Sequence, residues 1–439
     1  GNGTTLFDLS GNAVADPSEA AGGLIQRLVG SNVVVAASGN ADVTGATTAG
    51  NTLVVRDVRV AGGVDATLTT GAAYRDILVL AGGQAVSGQG VGGTATGGTL
   101  TAGDDIAVVA QSAQTTPTVV LGQAIVTSAT ANGTGGSVND SEAGVDGTAL
   151  FNLSGTAVND PTKVAGNSLS RLAGSNVVVA AKTDALVGNG DASLARDLRV
   201  VAGGAATLTV GNAGRDILVL ATTGDATSTT SLIAGDDVTV VSQGGNVRVA
   251  TADVQTTAFA DSEGGPDGPI LLDASGGTVA DPYQWHGNAT IDTLVGRNIV
   301  LSGLGSVTAT SLGRAGTATP VDVRAMAVNG VADVLAATAS SLIWVGSRNN
   351  DAHLGDGLSV VGDIVVLANV QNAWLDTGDA GRDIIVSAAA NATVTVKASA
   401  GDDVFVLAGG DATVATGALA ESLGTADNDG PATPLLDEY

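Results

Sequence analysis

The chain has no cysteine, which excludes disulfides and thiolate metal sites as the means of holding it together. Aromatic residues are 2% of its 439 positions and charged residues 14%. A globular core of this size normally fills irregular space with rings, so an ordinary globular fold is a poor match. Proline is scarce, at 9 residues, and mean hydropathy is positive at +0.32; with abundant β-branched residues, this excludes a disordered chain. No apolar run is long enough to cross a bilayer and no basic, apolar, small-residue leader is present, so membrane insertion is not expected. Glycine is plentiful instead, at 64 residues, and Ala, Val, Leu and Ile supply almost all of the 44% hydrophobic content. Side chains this small suit thin, evenly spaced layers.

Forty-three acidic residues face 17 basic ones, a formal charge of −26. That balance repels phosphate backbones and anionic lipid, and excludes nucleic acid as a partner. Lys163, Lys182 and Lys397 are the only lysines, so the surface reads as Asp and Glu with scattered Arg, suited to a salty or calcium-containing medium. The chain begins at Gly1 without Met, which reads as a processed chain or a piece of a longer one.

Self-similarity is the strongest signal. Leu6-Phe7-Asp8-Leu9-Ser10-Gly11 returns as Leu150-Phe151-Asn152-Leu153-Ser154-Gly155 and, more loosely, as Leu271-Leu272-Asp273-Ala274-Ser275-Gly276. Each copy is followed by an Asp-Pro pair: Asp16-Pro17, Asp160-Pro161 and Asp281-Pro282. Three long units result, at residues 1–147, 148–268 and 269–430. Residues 431–439 read as a tail or the start of a further unit, because Pro434-Leu435-Leu436-Asp437 echoes Pro269-Ile270-Leu271-Leu272-Asp273.

A shorter motif recurs inside each unit: an Asn or Asp, an apolar run, then a Gly/Ala-rich turn. Asp57-Val58, Asp76-Ile77, Asp216-Ile217, Asp383-Ile384 and Asp403-Val404 are examples. From Asn298 the steps to Asp322, Ser341, Asp363, Asp383 and Asp403 are 24, 19, 22, 20 and 20 residues. Short Val-, Ile- and Thr-rich runs bounded by Gly, Asn and Asp are strands. Two or three such strands per period cannot bury an apolar face alone, but stacked copies can. The expected fold is all-β, a parallel β-helix (β-solenoid) with rungs of about 20 residues. Short helical or loop excursions are expected at the Asp-Pro pairs, where Asp suits an N-cap and Pro the first helical position. About twenty rungs at roughly 4.8 Å each would make a rod on the order of 100 Å long.

The rungs Gly-Arg-Asp-Ile-x-Val, at Gly214 to Val219, and Gly-Asp-Asp-Val-x-Val-x-Ala-Gly-Gly, at Gly401 to Gly410, resemble the repeats of filamentous haemagglutinin-like large exoproteins. The likeness covers most of the chain at repeat level. It implies a right-handed parallel β-helix, a bacterial adhesin secreted by the two-partner route through an outer-membrane pore partner. No amino-terminal secretion domain of that family is visible, and the nested long units are not a hallmark of it; autotransporter passengers and large biofilm adhesins share the rung pattern.

Equivalent positions of a solenoid stack, so the Asn/Asp positions form a column of like charges. Arg56, Arg75, Arg196, Arg215 and Arg382 each precede an Asp of it, which predicts neutralising pairs along the rod. The Gly-Asp-Asp triplets at Gly103, Gly235 and Gly401 offer oxygen ligands for calcium, with a structural turn ladder as the favoured reading. The better metal candidates are the acidic loops between units: Asp140, Glu142 and Asp146, then Asp261, Glu263 and Asp267, then Asp427 and Asp429. A calcium ion there would stiffen a joint, against the plainer reading of a solvated acidic linker.

No catalytic residue is expected. His286 and His353, the only histidines, sit in different contexts and read as surface or loop residues. Trp285, Trp344 and Trp374, with Tyr283, all fall in the third unit, where packing is favoured over a sugar-stacking patch. No phosphate-loop motif is present. The sequence thus points to a secreted or cell-surface bacterial protein, non-enzymatic, structural or adhesive, forming a rigid fibre or stalk. Its expected partners are its own copies or tandem units, the outer-membrane secretion pore, and cell-surface or matrix glycan. The rivals are a calcium-dependent surface-layer or biofilm adhesin and a polysaccharide-active β-helix enzyme.

Overall fold

The computed structural model describes residues 40–47, 58–62, 64–74, 76–81, 94–103, 105–110, 123–131, 176–181, 183–192, 197–255, 298–313 and 322–420. It also gives the backbone of isolated strands at 5–7, 13–14, 27–29, 33–37, 85–86, 89–90, 115–116, 119–120, 149–152, 157–158, 169–173, 270–273, 278–279 and 291–295. Two long parallel sheets dominate. Sheet I has 14 strands of five or six residues and sheet II has 16, mostly of eight. Each turn of the chain places a strand in sheet I and then a strand in sheet II. Two turns split the latter in two, at Ala226–Ser228 with Ser231–Ala234 and at Ala412–Val414 with Ala418–Ala420. This is the expected β-solenoid, and there is no helix among the described residues.

Register holds from rung to rung. Ile343 pairs with Ile364, Ile364 with Ile384 and Ile384 with Val404, steps of 21, 20 and 20 residues. A strand such as Ala185–Ala192 buries its first, third, sixth and eighth residues, so the fourth and fifth both point outward. The pairing skips Gly188 at that point, running Val187 to Leu208 and then Asn189 to Val210. Alternation in a strand has a period of two, so slipping by one residue bends the strand and turns its second half onto a new side. The interior is therefore bounded on three sides by sheet I and the two halves of sheet II.

The core is a set of columns. Sheet I contributes Val or Ile, then Val, then Ala, as in Ile77, Val79 and Ala81, all fully buried. Sheet II contributes two positions whose sizes compensate. Leu375 faces Gly378, Leu354 faces Gly357, Leu208 faces Gly211 and Leu68 faces Gly71. The order reverses at Gly97 with Leu100, while Val126 with Ala129 and Val394 with Ala398 share the space evenly. A Cβ on Gly378 would lie 2.8 Å from Leu375 Cδ2, so the glycine is there to admit the leucine. Each rung thus fills nearly the same volume, which lets near-identical rungs stack at interior density.

The outer side of sheet I is also apolar. Leu218, Leu220, Val241, Val300, Met326 and Trp344 form a buried cluster there, and Leu80, Ala107, Val109 and Val178 form another. Among the described residues, the outward apolar side chains of sheet I that are most exposed are those of the last rung, Phe405 at 44% and Leu407 at 43%.

Three antiparallel ladders of three strands recur, each just before a sheet I strand. They link 5–7, 13–14 and 27–29; then Ala149–Asn152, Ala157–Val158 and Leu169–Ala173; then Ile270–Asp273, Thr278–Val279 and Ile291–Val295. None joins the long sheets. The stack continues past the last two without a break: Ile106–Ala110 pairs directly with Asn176–Ala181, and Val238–Ser242 with Asn298–Gly303. Smaller hairpins leave the first unit at 85–90 and 115–120 in the same way. These departures correct the expected length. Fourteen rungs at about 4.8 Å give roughly 65 Å, not 100 Å, because the strands of the ladders and hairpins pair among themselves and add no rung to the long sheets. The Asp-Pro pairs, where helical excursions were expected, lie outside the described residues.

Candidate functional site

Most rungs enter sheet I through the Asp or Asn of the recurring motif. The carboxylate turns along the rod axis and accepts from the next rung's main chain. Asp403 N donates to Asp383 Oδ1 at 3.0 Å, Asp383 N to Asp363 Oδ1 at 3.2 Å, and Asp237 N to Asp216 Oδ1 at 3.3 Å. The expected turn ladder is present. The predicted arginine pairs form at the two positions described for them, each reaching back one rung. Arg215 holds Asp197 through Nε at 2.9 Å and Nη2 at 2.8 Å, with both side chains buried, and Arg382 grips Asp363 in the same two-point manner. Arg56, Arg75 and Arg196 lie outside the described residues.

A second ladder, which the sequence reading missed, occupies the turn between the two strands of a rung. Asn246 N donates to Asp225 Oδ1 at 2.8 Å, Ser306 N to Asn246 Oδ1 at 2.8 Å, Asn372 N to Asp351 Oδ1 at 3.0 Å and Asp411 N to Asn391 Oδ1 at 2.9 Å. Two polar columns therefore satisfy turn N–H groups that the sheets leave over.

Burial and neighbouring charge push some of these carboxylates up. Asp322 is raised by burial, opposed by Arg324, and Asp383 is raised by burial, with the Asp363 charge adding to it and the Asp403 N–H opposing. Among the described residues one acidic group is dense enough to hold a cation: Asp216, Asp236 and Asp237, whose carboxylate oxygens lie within 4.8 Å of one another. Asp236 belongs to one of the Gly-Asp-Asp triplets weighed for calcium. Three hard oxygens suit such an ion, which takes six to eight ligands. Arg215 already stands beside them, with Nε 3.1 Å from Asp216 Oδ2. The junction residues Asp140, Glu142, Asp146, Asp261, Glu263, Asp267, Asp427 and Asp429 lie outside the described residues.

The most chemically distinctive cluster is on the outer side of sheet II. His353 is on a strand, Ala352–Ser359, and its partners come from the rungs on either side. Nδ1 is 2.8 Å from Asp333 Oδ1 and Nε2 is 3.2 Å from Asp376 Oδ2. A carboxylate at each nitrogen favours the protonated ring, in which both nitrogens donate. Burial alone would lower its pKa, but the two hydrogen bonds and the two negative charges outweigh it and raise it. Asp333, His353 and Trp374 are consecutive in register, so the indole stands one rung from the imidazole. Asp333 also closes one end of a shallow groove of about 470 Å³ lined by Thr227, Thr229, Arg248, Thr308 and Leu335.

The sequence placed His353 at the surface without assigning it partners. Its neighbours were 20 and 23 residues away, and only the one-rung period of Asp333, His353 and Trp374 hinted at them. Trp344 and Trp374 form no common patch. Trp344 is 3% exposed on the outer side of sheet I and Trp374 is on sheet II, while Trp285, Tyr283 and His286 lie outside the described residues. No family model, curated protein or solved structure matches this chain, so the reading of its surface rests on its own geometry.

Proposed function

We propose that this chain is a secreted, non-enzymatic structural or adhesive protein of a bacterial cell surface, whose stacked rungs form a rigid fibre or stalk. One observation carries the reading: a continuous apolar interior runs through all 14 rungs and across both places where a three-stranded ladder interrupts the sequence. Such a stack resists bending because neighbouring rungs are tied by main-chain hydrogen bonds and a continuous apolar interior, with the two polar ladders adding bonds at many of the described turns. The likeness of its rungs to filamentous haemagglutinin-like exoproteins supports export and an adhesive role. Electron microscopy of the purified chain tests the architecture: stiff rods about 65 Å long are expected, and round or flexible particles would refute it.

A second reading, a polysaccharide-active β-helix, is favoured by the Asp333–His353–Asp376 cluster at the end of the Arg248 groove. A protonated imidazole beside a groove lined by Thr227, Thr308 and Arg248, with Asp333 at its end, can donate a proton to a leaving oxygen. Incubation with a panel of acidic and neutral polysaccharides separates the two. The structural reading expects no turnover; turnover lost in His353→Gln establishes the enzyme.

A further inference from the structure

Resting on the fibre reading, we infer that the two ends of the stack are complementary and that a second copy of this chain docks head to tail on the last rung, continuing both sheets in register. The last rung comprises Val404–Ala408, Ala412–Val414 and Ala418–Ala420; the first comprises Val33–Ala37 and Ala41–Thr47. Among the described residues these strands end the two sheets, each paired on one side only.

Their interior side chains are those that adjacent rungs present to one another inside the stack. Val404 and Val406 fall over Val33 and Val35, and Ala412, Val414 and Ala418 over Ala41, Val43 and Ala46. The valine columns of sheet I continue, and so does the even Val/Ala sharing at the sheet II corner. The last rung is one residue longer at that corner, a step already accommodated where Ala373–Ala380 meets Ala392–Ala400. Burial marks the same surfaces. Val404, Val406 and Ala408 at one end, and Val33, Val35 and Val43 at the other, are only partly buried, whereas the equivalent Ile343, Val345, Ile364 and Val366 are fully buried. Phe405, Leu407 and Val414 add exposed apolar surface to the last rung, Val414 at 42%. The polar ladder ends in the matching state: Asn391 receives the Asp411 N–H, and Asp411 is placed to receive the Asn40 N–H of the next copy.

The chain supplies its own precedent. Asn176–Ala181 follows a three-stranded ladder yet stacks directly on Ile106–Ala110, and Asn298–Gly303 does the same on Val238–Ser242. Val33–Ala37 follows the equivalent ladder, 5–29, which is not paired with it. The joint between copies repeats a joint made twice within one. An interface between two different surfaces of the same molecule that does not close into a ring propagates as an open filament.

The absence of cysteine makes the register directly testable. Thr413 and Asp42 are both exposed and fall opposite each other across the joint. Neighbouring parallel strands are about 4.8 Å apart, within disulfide reach. Under mild oxidation the Thr413→Cys/Asp42→Cys double variant is expected to give a ladder of covalent multimers on a non-reducing gel, and Thr393→Cys/Asp42→Cys, displaced by one rung, is expected to give none. Equal cross-linking in both would overturn the register. Val414→Lys places an ammonium in the interior column of the open end. It should leave the melting temperature of the dilute monomer unchanged and abolish end-to-end growth in micrographs. Stiff single rods that never cross-link or lengthen would refute the joint while leaving the fibre reading standing; particles that are not rods would remove both.

Discussion

The compensating pair Leu375 and Gly378 gives the sharpest test of why this sequence stacks. In Gly378→Ala the new Cβ would lie 2.8 Å from Leu375 Cδ2 and 3.2 Å from Ile384 Cδ1, well inside ordinary van der Waals contact. Leu375 and Ile384 are fully buried and held by the rungs on either side, so relief requires an off-rotamer leucine or a strained strand. Overpacking of this kind costs about 1–3 kcal/mol, partly offset by the roughly 0.4–1 kcal/mol that alanine gains by restricting the unfolded chain. A net loss of about 1–2 kcal/mol is expected. Leu375→Val alone leaves a small void and costs about 1 kcal/mol. The double variant recreates the Val/Ala pair found at Val126 with Ala129 and at Val334 with Ala337, so its stability should return to within about 0.5 kcal/mol of wild type. Urea titration read through the fluorescence of Trp374, on the same strand, reports this rung even if a repeat array does not unfold in one step. A harmless Gly378→Ala, or two single losses that simply add, would refute the claim that each rung holds a fixed volume.

Other expectations follow from the polar columns. Arg215→Met leaves Asp197 buried without its two-point partner and should cost about 3–5 kcal/mol by urea titration; an unchanged midpoint would exclude the ion pair as a stabilising contact. The folded pKa of His353 lies above its unfolded value of about 6.5, so its contribution is complete below that pH and fades as pH rises through the folded value. Chemical denaturation between pH 5 and 9 should show that decline, and His353→Gln should flatten it. Since Arg215 already faces Asp216, chelation with EDTA is expected to leave the melting temperature unchanged; a calcium-dependent rise lost in Asp236→Asn would make the acidic triplet a metal centre. A Cβ at Gly362 would fall 1.8 Å from the Ser341 carbonyl oxygen, main chain that cannot yield, so Gly362→Ala should lower thermal stability more than Gly378→Ala does.

The column of Asp76, Asp216, Asp383 and Asp403 was legible because each member precedes a long apolar strand, and periodic apolar runs are the loudest feature of a solenoid sequence. The second column was not. Its members, among them Asp225, Asn246, Ser306 and Asn391, sit in short Gly- and Asn-rich turns where many residue types recur and no apolar run marks the phase. The pairing of Leu375 with Gly378 was hidden for a related reason: a glycine inside a strand reads as weakness until the neighbouring leucine is seen to occupy its space. Rod length was overestimated because repetition within a sequence does not say which copies join the stack. His353 illustrates the general limit. Its carboxylates come from two other rungs, and only the stacked register brings them to the ring.

The way the antiparallel ladders leave the stack has a consequence for how such molecules change over generations. A segment that departs at a turn and returns to the same column perturbs nothing above or below it, so those turns can accept foreign loops or whole modules. By the same logic, unequal crossing-over between rungs yields daughter proteins that are longer or shorter by one step and still fold. The length of the stack then varies separately from the segments that leave it.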